Sequence, residues 1–214
     1  MSIRNLEEAF ICYLWFLLAL AIHEWGHAWI AERLGDDRPR IDGRVTLNPL
    51  AHISLVGTVI IPLLGFLCSP DFAMIGWGRP VVVNSDNFKN KRLGDILCTF
   101  AGPFLNLVFS FLVSLLSFFL FKKGNQSLSY LCSIGVMTNA SLGLFNLIPI
   151  PPLDGANILK SIIGMKETTF IVFSKWGFII LLFLINSSVF THYFSEANYF
   201  LLNFYWKLCH ILLE

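Results

Sequence analysis

Residues 9–31 read AFICYLWFLLALAIHEWGHAWIA, a long apolar run with two histidines and a glutamate near its end. The run is long enough to cross a bilayer as a helix, because about 20 apolar residues span the hydrocarbon core. His23 and His27 lie four residues apart, so a helix places both imidazoles on one face with Glu24 beside them. Ionisable groups are costly in hydrocarbon, and the segment is therefore predicted to carry an intramembrane site.

The composition agrees with a membrane protein. Hydrophobic residues make up 56% of the chain and charged residues only 14%, whereas ordinary soluble domains are about 25% charged. The formal net charge of +1 provides no basic surface for phosphates, so no nucleic-acid partner is expected. A cleaved signal peptide is not expected either, because the acidic Glu7 and Glu8 precede the apolar run.

Further apolar runs predict an all-α polytopic membrane protein, a bundle of about five to six transmembrane helices. Four spans are predicted, at about residues 9–31, 94–121, 128–148 and 168–191. Residues 194–213 contain several polar groups and are either a weak span or an interfacial helix. Residues 1–160 are predicted to form the catalytic transmembrane core, followed by C-terminal helices in 161–214 and no separate soluble domain.

A zinc site needs a third protein ligand, with the fourth position left to water. Arg33 stands where the metzincin pattern requires its third histidine, and no glutamate occurs between Glu32 and Glu167. Asp154 remains as the candidate, within NLIPIPPLDG at residues 146–155. The three prolines of this stretch prevent regular helix, and broken backbone at membrane depth is tolerated where it lines a buried site.

Three motifs in this order resemble the site-2 protease family of intramembrane zinc metalloproteases, peptidase family M50. They are HEWGH at residues 23–27, AGPFLN at residues 101–106 and NLIPIPPLDG at residues 146–155. The resemblance implies that His23, His27 and Asp154 bind one Zn2+ per chain and that Glu24 is the catalytic base. It also implies that Asn146 helps to hold the substrate or the oxyanion.

The number of crossings between the ligands predicts the topology. If residues 53–68 form a re-entrant segment, two crossings separate His27 from Asp154, and both residues lie on one side. The same arrangement collects most lysines and arginines on that face, which is therefore predicted to be cytoplasmic. The amino terminus is expected outside a prokaryotic cell (inner) membrane. Short β-strands are expected near the active site, in residues 46–54 and 148–153, where an extended substrate would pair with them.

These expectations describe an intramembrane zinc endopeptidase that cleaves peptide bonds within or near transmembrane segments. Its partners would be transmembrane or membrane-anchored substrates, the bilayer and a regulatory membrane protein, in regulated intramembrane proteolysis or in clearance of signal-peptide remnants. The alternatives are a proteolytically silent membrane chaperone and a metal-binding membrane protein of the same fold. At single positions, Asp154 could instead cap a helix, and Asn146 could stabilise helix packing.

Overall fold

The computed structural model describes residues 6–68 and 76–213, and this part of the chain is mostly helical. Its α-helices are α1 (Leu6–Leu34), α2 (Arg38–Ile41), α3 (Ile61–Cys68), α4 (Lys91–Lys122), α5 (Gln126–Asn146), α6 (Asp154–Ile163), α7 (Glu167–Ile185) and α8 (Ser188–Leu213). Short 3₁₀ helices occupy Pro49–His52 and Ser85–Asn87, and a π-helical turn, Leu55–Ile60, leads directly into α3.

Four of these helices, α1, α4, α5 and α7, are long and apolar enough to cross a membrane. With 32 residues, α4 is about 48 Å long at 1.5 Å per residue and exceeds the roughly 30 Å hydrocarbon core. The predicted all-α membrane protein is confirmed in this coarse form. The finer count of five to six transmembrane helices stays a prediction.

The boundary between the last two helices lies earlier than predicted. The sequence pattern extends one span over 168–191 and the next segment over 194–213, whereas α7 ends at Ile185 and α8 starts at Ser188. The side-chain nitrogen of Asn186 donates to the Leu182 carbonyl at 2.8 Å, and such polar side chains compete with the backbone for hydrogen bonds. Apolar residues on both sides concealed this break in the hydropathy pattern.

Helix α4 lies at the centre of the bundle and packs against both α1 and α5, which also contact each other. A Cβ atom on Gly26 of α1 would lie 3.0 Å from the Ala101 carbonyl oxygen, so α1 and α4 meet backbone to backbone. Toward α5, the Ser110 hydroxyl of α4 donates to the Val136 carbonyl at 2.7 Å. Small and hydroxyl-bearing residues are typical of close packing between membrane helices.

Helix α8 runs antiparallel to α5 along its whole length. The rings of Phe194 and Phe145 pack at 6.1 Å near the end of α5, and Lys122 Nζ donates to the Leu213 carbonyl at 3.3 Å near its start. The chain between α5 and α8, which includes α7, therefore begins and ends at the same end of the bundle.

The segment that includes α3 returns to its own starting point. The backbone nitrogen of Trp77 donates to the Gly57 carbonyl at 3.1 Å, and the Thr58 hydroxyl donates to the Trp77 carbonyl at 2.9 Å. Two residues further on, the Arg79 nitrogen donates to the His52 carbonyl at 2.8 Å. The residues that precede α3 and those of the chain at 77–79 thus lie side by side. The re-entrant path of residues 53–68 through a membrane stays a prediction.

The short β-strands expected near the active site are absent from residues 6–68 and 76–213. Within 46–54 the chain forms the 3₁₀ helix Pro49–His52, which Asn48 caps by accepting a hydrogen bond from a backbone nitrogen. Residues 148–153 form consecutive turns, because their prolines fix φ and lack an N–H donor. The prediction of strands there was wrong.

Candidate active site

Three side chains from two helices converge on one point. His23 and His27 lie on α1, and Asp154 is the first residue of α6. The Oδ2 atom of Asp154 lies 3.0 Å from Nε2 of His23 and 3.4 Å from Nε2 of His27, and the two Nε2 atoms are 3.1 Å apart. The structure thus brings together the three residues predicted as metal ligands, and they form a group that could hold a metal ion.

The hydrogen bond of Nδ1 in each histidine ring determines whether Nε2 of that ring can bind a metal ion. His23 Nδ1 contacts the Asn106 Oδ1 atom at 2.8 Å, and His27 Nδ1 contacts the Cys98 backbone carbonyl at 2.8 Å. Both oxygens accept hydrogen bonds, so each Nδ1 is assigned a proton, and in the neutral ring, which is the form that binds a metal ion, each Nε2 has a free electron pair. Neither Nε2 then has a proton to donate to the buried Oδ2 of Asp154, which has no hydrogen-bond partner.

A zinc ion fits this donor set. Two neutral imidazole nitrogens and one carboxylate oxygen are ligand atoms that Zn2+ prefers, and catalytic zinc sites typically combine three protein ligands with one open position. Three electron pairs that face one another without an intervening proton are stabilised by a cation. The geometry therefore agrees with the predicted single Zn2+ per chain.

Two glycines allow this convergence. A Cβ atom on Gly102 of α4 would lie 2.4 Å from Nε2 of His27 and 2.9 Å from Cε1 of His23, which is closer than side-chain contacts permit. A Cβ atom on Gly155, next to Asp154, would lie 2.3 Å from the Leu147 carbonyl oxygen. Glycine at these positions lets α4 and the end of α5 pack directly against the histidines and the start of α6.

Helix α6 holds Asp154 at one end and is anchored at the other. Leu153 occupies its N-cap position without a side-chain capping bond, so Asp154 does not act as the cap. At the opposite end, Nε of Arg92 donates to the Ser161 carbonyl at 2.8 Å, and Nη2 donates to the Ile162 carbonyl. A cation at the carboxyl end of a helix satisfies its last carbonyls and complements the helix dipole.

Glu24 lies on α1 directly beside the convergent group, and only 8% of the residue is exposed. Its Oε2 atom accepts a hydrogen bond from the backbone nitrogen of Val81 at 2.9 Å. The carboxylate thus faces the chain segment 76–84, which we call the covering segment. A buried carboxylate next to a metal site can accept and return a proton.

The covering segment is fixed at its far end by Asp36, which is fully buried. The two carboxylate oxygens of Asp36 accept hydrogen bonds from the Asn84 backbone nitrogen at 2.6 Å and from the Asn87 side chain at 2.9 Å. A buried carboxylate satisfied in this way rigidifies the backbone that it binds.

Arg44 fixes the beginning of the covering segment. Only 5% of the Arg44 residue is exposed. Its guanidinium donates to the carbonyl oxygens of Ala51 and Arg79. Burial and the nearby charge of Arg79 lower the pKa of Arg44, although an arginine side chain stays ionised at neutral pH. The segment above Glu24 is therefore held at both ends.

Asn146, the last residue of α5, does not contact the convergent histidines through any described hydrogen bond. Its side-chain nitrogen donates to the Leu142 carbonyl of the same helix at 3.0 Å. The carbonyl oxygen of its side chain makes no described hydrogen bond. Its predicted role toward substrate stays a prediction.

Sequence reasoning missed the groups that contact the convergent histidines and Glu24. Asn106 belongs to the AGPFLN motif, but no role was predicted for it, although an amide within an apolar span is itself a signal. Cys98 and Val81 contribute backbone atoms that other residue types also have, so the sequence does not indicate these contacts. The steric role of Gly102 depends on contacts between helices and also requires the structure.

Comparison with known proteins agrees with these observations. Residues 121–184 match the model for "Peptidase family M50", a range that includes Asn146 and Asp154. The protein "Putative zinc metalloprotease YwhC" of Bacillus subtilis is 36% identical over 154 residues, which cover 69% of this chain and 66% of that protein. "Putative zinc metalloprotease Rip2" of Mycolicibacterium smegmatis is 30% identical over 193 residues, covering 88% of this chain and 71% of that protein.

A more distant relative is "Zinc metalloprotease MJ0392" of Methanocaldococcus jannaschii. It is 24% identical over 169 residues, which cover 78% of this chain and 38% of that protein. No solved structure matches the chain. The match to Rip2 extends over most of both proteins. The chain therefore belongs to peptidase family M50, the family of these zinc metalloproteases.

Proposed function

We propose that this chain is a zinc endopeptidase that hydrolyses peptide bonds within or near the transmembrane segments of membrane proteins. One observation carries the proposal: His23, His27 and Asp154 converge beside Glu24, and both histidines lie on a helix apolar enough to span a bilayer. A site at this depth is reached most directly by a substrate that is itself in the membrane.

The chemistry follows from the residues that surround the convergent point. His23, His27 and Asp154 would hold the ion, and zinc, when bound, supplies the Lewis acidity that activates water and polarises the scissile carbonyl. Glu24 accepts the proton of the attacking water at a carboxylate oxygen and delivers it to the leaving amine. The Val81 N–H donates to Oε2 and holds the Glu24 carboxylate in place beside the convergent point.

The covering segment offers an edge for an extended substrate. The backbone nitrogens of Trp77, Arg79 and Val81 all donate toward the body of the protein. In extended chain the groups of alternate residues face opposite sides, so the carbonyls of Gly78 and Val82 face away from it. A substrate strand that pairs along this edge would pass Glu24 and the convergent point.

Asn146 would act on the same substrate from the other side. It ends α5 eight residues before Asp154, and its side-chain oxygen is not used in any described hydrogen bond. We propose that the amide turns toward the substrate backbone or the developing oxyanion when substrate binds. A donor aimed at that charge would lower the barrier of the reaction.

The location of the site completes the proposal. Residues 53–68 would enter the membrane and return, so that His27 and Asp154 lie at the same depth toward the cytoplasmic side of a prokaryotic inner membrane. The hydrogen bond between Trp77 and Gly57 supports a returning path, and the lysine and arginine distribution supports the orientation. Substrates would be transmembrane or membrane-anchored proteins, and a regulatory membrane partner would control access.

The proposal is tested with Glu24→Gln in the full-length protein. We expect this variant to lose proteolysis by about 10²- to 10⁴-fold while zinc stays bound, because the ligands remain and the proton acceptor is lost. The measurements are cleavage of membrane proteins in reconstituted vesicles and zinc content by elemental analysis. Membrane fragments that are present with wild type and absent with Glu24→Gln identify the substrates.

Two further variants serve as controls for this experiment. Glu196→Gln makes the same chemical change on the exposed surface of α8 and should leave both measurements unchanged. His27→Ala should lower zinc content together with activity. Wild-type cleavage by Glu24→Gln, or zinc loss from it, contradicts the assigned role.

A further inference from the structure

A chain of buried amides connects α5, α4 and α1 next to the convergent histidines. Asn106 of α4 contacts His23 Nδ1 through Oδ1 at 2.8 Å, and its Nδ2 donates to Oδ1 of Asn139 on α5 at 3.1 Å. Both asparagines are fully buried. Buried polar groups of this kind need every hydrogen bond satisfied, so their arrangement is specific.

Backbone carbonyls fix the direction of each bond in this chain. The Nδ2 group of Asn106 also donates to the Ala19 carbonyl at 3.0 Å, and the Nδ2 group of Asn139 donates to the Gly135 carbonyl at 2.9 Å. Carbonyls only accept, so both amide nitrogens must face them. If the Asn106 amide were reversed, its oxygen would face the oxygens of Ala19 and Asn139, and both of these hydrogen bonds would be lost. The oxygen of Asn106 therefore faces His23.

We propose that Asn106, held by Asn139, is a positioning residue for zinc binding. It fixes which ring nitrogen of His23 carries the proton and how the ring is oriented. Asn106 Oδ1 keeps the proton on Nδ1, so that the Nε2 electron pair points at the ion. This inference rests on the proposed zinc site and adds residues to which no role has been assigned. Groups that orient a metal-bound histidine in this way commonly change metal affinity when they are removed.

The two histidines differ in how they can be tested. His27 Nδ1 contacts a backbone carbonyl, that of Cys98, and a side-chain substitution does not remove that partner. His23 Nδ1 contacts a side chain, and substitution of Asn106 removes it. Only one ligand of the pair thus depends on a residue identity, which makes the contribution measurable.

The test measures the zinc dissociation constant of the full-length protein in detergent, by competition with a chelator of known affinity. Asn106→Leu has a similar volume but no acceptor, and we expect it to bind Zn2+ about 10- to 100-fold more weakly. Asn106→Asp keeps an acceptor for Nδ1 and should recover part of that loss. Asn139→Leu leaves Ala19 as an anchor and should give a smaller loss than Asn106→Leu.

Asn198→Leu is the matched control, because Asn198 is also a buried asparagine of a bundle helix. It accepts from Ser141 at 3.0 Å and donates to the carbonyl four residues earlier, as Asn139 does, but makes no contact with the convergent group. Thermal unfolding of each variant shows what fraction is folded. We expect Asn198→Leu to change the melting temperature and leave zinc affinity per folded molecule unchanged.

Wild-type zinc affinity in folded Asn106→Leu, or an equal loss in Asn198→Leu, overturns the inference. If Asn106→Leu does not fold, Asn139→Leu decides, and wild-type affinity in that variant is the contradicting result. The readout is independent of proteolysis. A protein that binds zinc and cleaves no peptide bond would contradict the proposed function while the affinities still decide the role of Asn106.

Discussion

Replacing Gly102 with alanine tests how closely α4 supports the convergent group of His23, His27 and Asp154. The new Cβ atom would lie 2.4 Å from Nε2 of His27, whereas an ordinary contact with carbon begins near 3.4 Å. The ring or α4 must therefore move by about 1 Å, and zinc sites tolerate deviations of only about 0.2 Å in ligand distance. Overpacking of this kind costs about 1–3 kcal/mol, which corresponds to a loss of about 5- to 150-fold in zinc affinity if the site absorbs it.

The assay compares zinc affinity and thermal unfolding for Gly102→Ala and for a matched glycine. On Gly135 of α5, a Cβ atom would also lie 2.4 Å from its nearest neighbour, the Trp15 ring, but far along α1 from His27. Gly135→Ala should therefore lower the melting temperature and leave zinc affinity per folded molecule unchanged. The steric argument fails if Gly102→Ala binds zinc as tightly as wild type, or if both variants lose zinc equally.

Three other predictions follow from contacts and from topology. Arg92→Ala should lower the free energy of unfolding by about 0.3–1 kcal/mol, because α6 loses the cation at its carboxyl end; Arg92→Lys should recover part of it, and equal stability of all three proteins would contradict this role. Asn146→Asp should slow turnover while zinc stays bound, since an added anion repels the oxyanion; lower stability with unchanged turnover per folded molecule would indicate a purely structural role. In a cysteine-free protein, single cysteines at Arg40 and Asn87 should react from the cytoplasm and one at Gly124 from outside; labelling of Asn87 from outside would make residues 53–68 a true span.

The convergent group is local in sequence for two of its members, and this is why their convergence could be predicted. His23 and His27 share a helix face by spacing alone, and Asp154 stands out because prolines break the chain before it. Asn106 was not assigned a role because its partner is 83 residues away, and only helix packing brings the two together. The α7–α8 boundary was misplaced because the prediction continued one span across the short polar stretch 186–188, which has apolar residues on both sides.

The covering segment shows a different limit of sequence reasoning. Strands were expected in 46–54 and 148–153, where prolines instead produce 3₁₀ helix and turns. Residues 76–84 cover Glu24 and are held in place by single hydrogen bonds to several different elements. A segment held in this way has no periodic pattern of apolar residues, so its position cannot be detected from the sequence. Its position depends on Asp36 and Arg44, which read as ordinary charged loop residues until their burial is known.

Helix α4 contributes no side chain to the convergent group, yet all three members are held against it. His23 contacts α4 through Asn106, and His27 contacts it through the Cys98 carbonyl. The helix that carries Asp154 is bound to α4 through Arg92. Any displacement of α4 relative to α1 or α6 would separate the donors, so these three helices have to behave as one rigid body during turnover. Entry of a substrate must then be accommodated by movement elsewhere, in α7, which is the least buried of the four long apolar helices and lies outside that body.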